Sequence, residues 1–187
     1  GRIIILYFEN DLIVVNVYTP NSGTNFENRL KWQSAFLKFL IKNKDKKVIY
    51  CGDMNVAYRP EDIHFNYKGG STYKKKTENI VGYLPEEREF VNQLISNEYK
   101  DAYLEVNNVN YENPEDFPGF SWWDPRSKKN EGSNIGIMRE HNIGWRIDYF
   151  FVSKNIKVDK CKVMKNIGED CNPQASDHAP IFLECNL

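Results

Sequence analysis

Apolar residues open the chain in two runs that predict a β-hairpin. Residues 2–8 and 12–18 are rich in Ile, Val, Leu and Tyr, and the polar residues Glu9, Asn10 and Asp11 separate them. β-branched and aromatic residues on both sides of a short polar turn are typical of paired antiparallel strands. We therefore expect these two runs to lie side by side in a sheet.

Two longer segments have the spacing of amphipathic helices. In residues 25–43 apolar side chains recur every three or four positions, which predicts a helix with one buried face. A second helix is predicted from Pro85 to about Ser96. Proline favours the first turn of a helix, and Glu86 and Glu87 lie beside the positive end of the helix dipole.

Short apolar runs elsewhere predict further strands. These runs are Val48–Cys51, 119–124, 144–153, 157–164 and 178–185. Residues 58–84 lack periodicity and predict an irregular surface segment, and residues 125–144 predict a long polar loop. Strands interrupted by two helices indicate an α/β (or α+β) domain, in the form of a two-layer β-sandwich flanked by helices.

Composition and charge narrow the class of protein. Of the 187 residues 41% are hydrophobic and 14% aromatic, which excludes general disorder. The net charge is −1, so any binding to nucleic acid must depend on a local basic surface. No stretch approaches the roughly 20 apolar residues that span a bilayer, so we expect no membrane association. The four cysteines lack metal-ligand spacing and favour free thiols, in a reducing compartment, over disulfides.

One acidic residue lies inside an apolar run and demands a partner. Asp148 follows Ile147 and precedes Tyr149, where an unpaired buried carboxylate would cost on the order of several kcal/mol. The chain has three histidines, and His178 is the economical candidate. A carboxylate bonded to one imidazole nitrogen raises the pKa of the ring. The other nitrogen is then free to donate to a phosphoryl oxygen.

Three further polar residues follow or precede predicted strands. Asp177 offers a hard oxygen ligand of the kind that Mg²⁺ prefers. Asp53 and Asn55 lie two positions apart, so that an aspartate could accept a proton from water while an asparagine orients that water. A lone Gly-Asp after a strand is more often a turn than a site. Together, however, these residues predict metal-assisted phosphodiester hydrolysis.

Five motifs resemble the exonuclease III type of AP endonucleases, within the endonuclease/exonuclease/phosphatase superfamily. They are VYTPNSG, CGDMNVA, GFSWWDPRS, GWRIDYFFVS and SDHAPIFLEC, in the family's order and approximate spacing. The resemblance implies one catalytic domain over residues 1–187. It also implies a Mg²⁺-dependent phosphodiesterase of base excision repair, with Mn²⁺ as a substitute. The implied partner is double-stranded DNA that contains abasic sites, cut on their 5′ side, with 3′-phosphodiesterase or 3′→5′ exonuclease activity at the same site.

The resemblance also implies roles for individual residues. The implied catalytic residues are Tyr18, Asp53, Asn55, Asp148 and His178. The implied metal ligands are Asp53, Asn55 and Asp177. The residues expected to bind substrate are Asn21, Trp122, Arg126, Trp145 and Ile147. Among these, Trp122, Trp145 and Ile147 match an apolar pocket that accepts a sugar without its base and excludes an ordinary nucleotide.

The chain departs from the family pattern in several places. In the family, an earlier segment contributes strands, an asparagine and the metal-binding glutamate. The sequence begins at Gly1, after the position of that segment, and so lacks both the asparagine and the glutamate motif. The domain is therefore expected to be incomplete, with exposed apolar surface and strand edges. We favour a piece of a whole enzyme over a second chain, a cleaved segment or an inactive protein. Thr24 occupies the position where the animal enzymes have an arginine. The segments 64–82 and 126–143 are longer than in the family and carry basic residues, which either contact phosphates or are simply solvated.

Two alternative functions stay open. The first is another phosphodiesterase of the superfamily: a retroelement nicking endonuclease, an RNA deadenylase or a phospholipid phosphatase. The second is a catalytically inactive DNA-binding module, since the metal-binding glutamate is missing. Apart from the missing segment we expect a monomer. We expect an intracellular location, which is the nucleus in a eukaryote, the cytoplasm in a bacterium, or an organelle.

Overall fold

A computed structural model describes residues 1–64, 80–109, 119–125, 135–165 and 176–187. The strands are β1 (Ile3–Tyr7), β2 (Leu12–Tyr18), β3 (Lys47–Asp53), β4 (Tyr99–Asp101), β5 (Asp148–Ser153), β6 (Lys157–Val163) and β7 (Ile181–Asn186). The helices are α1 (Phe26–Lys42), α2 (Pro85–Ser96), α3 (Ala102–Val106) and α4 (Ile135–Glu140), with a 3₁₀ turn at Pro60–Asp62.

The larger sheet has the strand order β1-β2-β3-β5-β4. β2 and β3 run parallel, because α1 forms the crossover between them, and the other neighbours are antiparallel. In this register Asp53 lies beside Tyr18 on one side and beside Asp148 on the other. Three predicted site residues are therefore brought to one edge of the sheet.

One face of the larger sheet packs against α1 and α2. Alternate residues of β2 (Ile13, Val15 and Val17) point into this layer, as the period of two in a strand requires. Phe36 of α1 and Phe90 of α2 meet them from the helices. The Asn25 side chain caps the first turn of α1 by accepting from the backbone N–H of Asn28, which confirms the predicted start of this helix.

The other face of the larger sheet packs against the two-stranded sheet of β6 and β7. Val152 of β5 belongs to this second layer, together with Val158 and Cys161 of β6 and the half-buried Leu183 of β7. The arrangement is a mixed α/β fold of two sheets flanked by helices, which confirms the predicted fold class. Along the outer strand β1, Ile4 is 61% and Leu6 50% exposed, so the expected exposed apolar surface is present.

Several predicted elements differ in the structure. Residues 119–124 do not form a strand, because Trp122 makes only isolated bridges, to Trp145 and His178. Because the bridge between Trp122 and Trp145 is isolated, Trp145 does not belong to a strand either, and β5 begins at Asp148 rather than at residue 144. β7 begins at Ile181 rather than at residue 178, since Pro180 has no N–H to donate to a ladder.

Other elements were not predicted at all. The short strand β4 and the helices α3 and α4 lie outside the predicted strands and helices, and α4 falls within the predicted loop 125–144. Where they are described, residues 58–84 are irregular as predicted, apart from the 3₁₀ turn. In the described part of the chain no helix has the length and apolar character to cross a bilayer. The described cysteines, Cys51, Cys161 and Cys185, are free thiols, as predicted.

Candidate active site

The turn after β3 holds two of the predicted site residues in a fixed arrangement. The backbone N–H of Asn55 donates to Oδ1 of Asp53 at 2.8 Å, and the Asn55 side-chain amide donates to Oδ2 of Asp53 at 3.2 Å. The same amide donates to the carbonyl of Thr19 at 2.7 Å. Asn55 has a φ of 48°, in the left-handed region that asparagine tolerates. The turn therefore fixes the direction in which the Asp53 carboxylate faces.

A buried guanidinium joins this turn to the one after β2. Arg29 of α1 is fully buried and donates to the carbonyl of Pro20 at 2.7 Å and to the carbonyl of Met54 at 2.9 Å. Across the gap between the two turns, the side-chain amide of Asn21 donates to Oδ1 of Asn55 at 3.2 Å. Asn21 is thereby held beside the Asp53–Asn55 turn.

The predicted contact between Asp148 and His178 is confirmed. Nδ1 of His178 lies 2.9 Å from Oδ2 of Asp148. The hydroxyl of Ser121 donates to the same carboxylate oxygen at 2.6 Å, and Ser121 itself is fully buried. With Nδ1 bonded to the carboxylate, Nε2 of His178 is the nitrogen that a ligand in the cavity would meet.

The electrostatics of the site favour a charged imidazole. Burial alone would lower the pKa of His178, but the hydrogen bond and the negative charge of Asp148 outweigh it and raise the pKa to about 9. Burial also raises the pKa of Asp53 to about 7, with a further contribution from the neighbouring charge of Asp148. The site can therefore hold a charged histidine and a carboxylate that accepts a proton near neutral pH.

Asp177 is more than a hundred residues from Asp53 in the sequence, yet both residues line the same cavity. The indole N–H of Trp122 donates to Oδ2 of Asp177 at 3.0 Å, and the backbone N–H of Trp123 donates to its carbonyl oxygen at 3.0 Å. These bonds orient the Asp177 carboxylate before any ligand binds.

The oxygen donors of the site suit a hard divalent cation. Mg²⁺ is commonly bound through one or two carboxylates and keeps several water molecules. Asp53 and Asp177 supply two carboxylates and Asn55 an amide oxygen. Within the described ranges no group of three or more His, Cys, Asp or Glu side chains is placed to hold a metal ion. Two carboxylates and an amide oxygen on one cavity are a donor set that suits a hard divalent cation which keeps several of its water molecules.

The cavity itself has a volume of about 580 Å³ and an apolar wall. Trp122 and Trp145 form that wall, with ring centroids 6.0 Å apart and nearly perpendicular planes, and Ile147 lies beside them. The full lining is Tyr18, Asn21, Gly23, Asp53, Asn55, Ile80, Val81, Gly82, Trp122, Trp145, Ile147, Asp177 and His178. A concave site with a few converging polar groups on an apolar wall is typical of a ligand pocket.

The structure thus brings nearly all the predicted site residues to one cavity. Asp148 lies behind it, in contact with His178, and Arg126 lies outside the described residues. Arg139, one of the basic residues of segment 126–143, stacks over Trp123 at 4.6 Å and donates to the carbonyl of Lys165 at 2.6 Å. Its guanidinium is therefore engaged within the protein.

Some residues of the site were missed by the sequence analysis. Ser121 was treated as part of a strand, although a hydroxyl inside an aromatic run next to a buried carboxylate could have indicated it. Gly23 lines the cavity and ends the motif VYTPNSG, but the motif gave it no role of its own. Residues 80–82 also line the cavity, but they occur in a segment without periodicity, so no pattern marked them. The guanidinium of Arg2 lies 4.8 Å from the centre of the Tyr18 ring. Nothing in the sequence distinguishes Arg2 from other basic residues of the chain.

Comparison with known proteins identifies the family. A profile of the Endonuclease/Exonuclease/phosphatase family matches residues 2–178. The chain belongs to this family. Among named relatives, the chain is 32% identical over 191 residues to an exodeoxyribonuclease of Bacillus subtilis. It is 33% identical over 193 residues to a DNA-(apurinic or apyrimidinic site) endonuclease of Dictyostelium discoideum. The whole chain aligns, and it spans 65% and 46% of these two relatives.

Several solved structures have the same fold as this chain. An AP endonuclease from Archaeoglobus fulgidus superimposes with a TM-score of 0.72 at 20% identity, and a 3′ phosphatase from Neisseria bound to product DNA hairpin with 0.74 at 20% identity. In both cases all of this chain is covered, together with 65% of the other chain. At this identity the likeness shows the fold alone.

Proposed function

We propose that this protein is a Mg²⁺-dependent phosphodiesterase that cleaves DNA on the 5′ side of abasic sites. The observation that carries the proposal is the convergence of Asp53, Asp177 and the Asp148–His178 pair on one cavity that also has an apolar wall. The charged imidazole of His178 suits a phosphate directly, and the carboxylates suit it through a bound divalent cation. The apolar wall beside them suits a sugar that has lost its base. The names of the bacterial and eukaryotic relatives support the same substrate class.

In the proposed reaction a water molecule attacks the phosphorus atom in line with the O3′ leaving group. Asp53 accepts a proton from that water as the new P–O bond forms, and Asn55 holds the carboxylate in position. The P–O3′ bond breaks, and O3′ leaves with a proton from solvent. The charged His178 donates from Nε2 to a phosphoryl oxygen, where negative charge increases in the transition state. When bound at Asp53, Asn55 and Asp177, Mg²⁺ would supply further stabilisation of that charge.

Substrate selection is assigned to the apolar wall. Trp122, Trp145 and Ile147 offer apolar contact to a base-free deoxyribose, and we assign to this wall the exclusion of a nucleotide with its base in place. Removal of 3′ blocking groups or of terminal nucleotides would use the same phosphate-binding groups, so 3′-phosphodiesterase and 3′→5′ exonuclease activities belong to the proposal. So do a monomeric state and a location where DNA is repaired: the nucleus, the bacterial cytoplasm or an organelle.

The test is cleavage of matched oligonucleotides in the presence of Mg²⁺ or EDTA. We expect cleavage of a duplex with one tetrahydrofuran abasic analogue, with much slower cleavage of the intact duplex and of poly(A). His178→Ala should lower kcat by roughly 10²–10³-fold, because it removes a donor to the transition-state phosphate. Tyr99→Phe is a suitable control, since the Tyr99 hydroxyl bonds the carbonyl of Leu40 in the helix layer.

The outcomes separate the competing functions. Preferred cleavage of poly(A) or of intact duplex would assign the protein to another phosphodiesterase activity of the family. Absence of any Mg²⁺-dependent cleavage, with binding to abasic duplex retained, would assign it to the class of inactive DNA-binding modules. Equal activity of His178→Ala and the unsubstituted protein would contradict the proposed mechanism.

A further inference from the structure

A buried carboxylate outside the cavity joins two of the loops that line it. Glu87, in the first turn of α2, is fully buried. One of its oxygens, Oε2, accepts from the backbone N–H of Gly82 at 2.8 Å and from that of Leu84 at 2.9 Å. The other, Oε1, accepts from the hydroxyl of Ser22. One side chain thus bonds both the loop before α2 and the loop after β2.

These two loops form one side of the cavity, although neither Ser22 nor Glu87 lines it. Ser22 lies between Asn21 and Gly23, which both do. Gly82, the residue bonded to Glu87, also lines the cavity, as does Val81 before it. The contact between Ser22 and Glu87 (the Ser22–Glu87 link) therefore connects backbone segments whose separation helps to define the width of the cavity.

Close packing shows how little freedom the loops have. A Cβ atom on Gly23 would lie 3.6 Å from Cγ1 of Val81, so the two loops touch at the rim of the cavity. A Cβ atom on Gly82 would lie 3.2 Å from Cζ3 of Trp145, so the second loop packs against the apolar wall. A shift of either loop would change the space between the phosphate-side residue Asn21 and the aromatic wall.

The surroundings of Glu87 reinforce this arrangement. Arg29 donates hydrogen bonds to the carbonyls of Pro20 and Met54. Burial lowers the pKa of Arg29, and the negative charge of Glu87 opposes this lowering. The side-chain amide of Gln33 donates to the carbonyl of Glu86 at 3.4 Å. Helix α1 and helix α2 are thus joined at the same point where the two loops meet. The sequence motifs assign no role to Ser22 or Glu87.

We propose that Glu87 is a positioning residue that, through the Ser22–Glu87 link, sets the width of the cavity and so the preference for an abasic over an intact nucleotide. This inference rests on the proposed function and assigns part of its selectivity to two residues that touch no substrate. A hydrogen bond to a buried charged group contributes substantially to holding two segments together, so its loss should allow the loops to separate.

The test compares the ratio of kcat/KM for abasic-analogue duplex to kcat/KM for intact duplex among four variants. We expect Ser22→Ala and Glu87→Met to lower this ratio by about tenfold, which is the factor expected for a lost hydrogen bond to a charged group. Glu87→Gln should keep the ratio, because its amide oxygen can accept from Gly82 and Leu84 while its NH₂ donates to Ser22. Tyr99→Phe removes a buried hydroxyl bond elsewhere and should leave the ratio unchanged.

A merely structural role would lower the stability of the variants without this pattern. The inference is overturned if Ser22→Ala and Glu87→Met keep the ratio, or if Tyr99→Phe lowers it equally. Crystal structures of the unsubstituted protein and of Ser22→Ala supply a readout that needs no activity. If the unsubstituted protein cleaves neither duplex, the proposed function fails, and the link is judged by the separation of Gly23 and Val81. An unchanged separation in Ser22→Ala overturns the inference, and a larger one supports it.

Discussion

Asp53 and Asp148 lie directly opposite each other on the neighbouring strands β3 and β5. Like charges in such positions destabilise a sheet. His178 bonds Asp148 from one side, and the positive charge of Arg29 acts on Asp53 from the helix layer, so that both carboxylates have a compensating cation nearby. The protonation states of Asp53 and His178 should consequently control the proposed reaction.

We expect a bell-shaped dependence of kcat/KM on pH. Asp53 must be ionised to accept a proton, and its pKa is about 7, so the rate should rise with pH through that value. His178 must be protonated to donate to the phosphate, and its pKa is about 9, so the rate should fall as pH rises through that value. Saturating Mg²⁺ should move the acid limb to lower pH, because a cation favours the ionised carboxylate.

The Asp148→Asn substitution tests the origin of both limbs. Removing the carboxylate takes away the two largest causes that raise the pKa of His178 and one of the causes that raise the pKa of Asp53, so both limbs should move to lower pH. Asp45→Asn, in the exposed turn after α1, makes the same change in charge at the end of the β3–β5 ladder opposite to Asp148 and should leave the profile as it was. An unshifted alkaline limb in Asp148→Asn would show that the pair does not act as described.

The same pair should make stability depend on pH in the alkaline range. The pKa of His178 is raised from 6.5 to about 9 in the folded protein, so folding favours the protonated imidazole. Its contribution to the free energy of unfolding is fully present below pH 6.5 and is lost as pH rises through about 9. Urea unfolding at several pH values should show this loss, and His178→Gln should remove it from that window. A dependence retained in His178→Gln would have to come from other groups.

A buried ionic cluster close to the site should dominate the effect of charge on stability. Arg146 lies between the pocket residues Trp145 and Ile147 and donates at 2.7 Å to both Asp62 and Asp101. Burial by itself would lower the pKa of Arg146, but the two carboxylates raise it well above its ordinary value. The guanidinium is therefore the cation that compensates two buried negative charges.

We expect Arg146→Met to lower the free energy of unfolding by about 3–5 kcal/mol, because it leaves buried carboxylates without their partner. Urea denaturation measures this loss. Lys31→Met is the matched control: the side chains of Lys31 and Glu27 are 70% and 79% exposed, and an exposed pair of this kind contributes less than about 1 kcal/mol. Equal losses in the two variants would contradict the dominant role of the buried cluster.

The sequence predicted those features of the site that a residue's immediate neighbours in the chain determine, and it missed contacts between segments far apart in the chain. A buried carboxylate requires a partner, and this local demand was enough to predict that Asp148 contacts His178. Glu87 also lies in a recognisable context, the first turn of a helix that begins with proline. Its Ser22 partner, however, is 65 residues away in a segment without periodicity, so the sequence indicated only an interaction with the helix dipole.

The elements that escaped prediction are those that tertiary contacts create. β4 has three residues and α3 has five, too few to show a period. Residues 119–124 have a strand-like composition. Ser121 and Trp122, however, form backbone hydrogen bonds with the single residue Trp145, and these bonds do not continue into a strand ladder. The long helices α1 and α2 and the strand β2 were predicted because each presents several apolar residues to one layer. β1 was predicted from its β-branched and aromatic composition, although most of its residues are exposed.

The indole of Trp122 should contribute to metal binding as well as to the apolar wall. Its N–H donates to Asp177 at 3.0 Å, and hydrogen bonds to a metal ligand commonly change metal affinity by about 10–100-fold. Trp122→Phe keeps an aromatic wall but removes this donor, so we expect Mg²⁺ affinity to fall by about tenfold. Isothermal titration without DNA measures the affinity directly. Trp32→Phe, in α1, is the control, and an unchanged affinity in Trp122→Phe would remove Asp177 from the predicted ligands.

The glycine before Asp53 should be irreplaceable for both folding and activity. Gly52 has a φ of 116°, a backbone conformation that side chains other than glycine rarely adopt. A Cβ atom at this position would lie 2.1 Å from the carbonyl oxygen of Val17 in the adjacent strand, so the backbone of β2 or β3 would have to move. That movement would carry Asp53 away from Asn55 and Asp148.

We expect Gly52→Ala to lower the free energy of unfolding by about 1–3 kcal/mol from backbone strain alone, and by more if the strands separate. Cleavage of abasic-analogue duplex should fall with it at a temperature where the variant is still folded, because proton acceptance by Asp53 depends on its placement to within about 1 Å. Gly1→Ala, where a Cβ atom meets nothing within 4 Å, is the matched control. A folded Gly52→Ala protein with full activity would mean that the strand register around Asp53 differs from the one described.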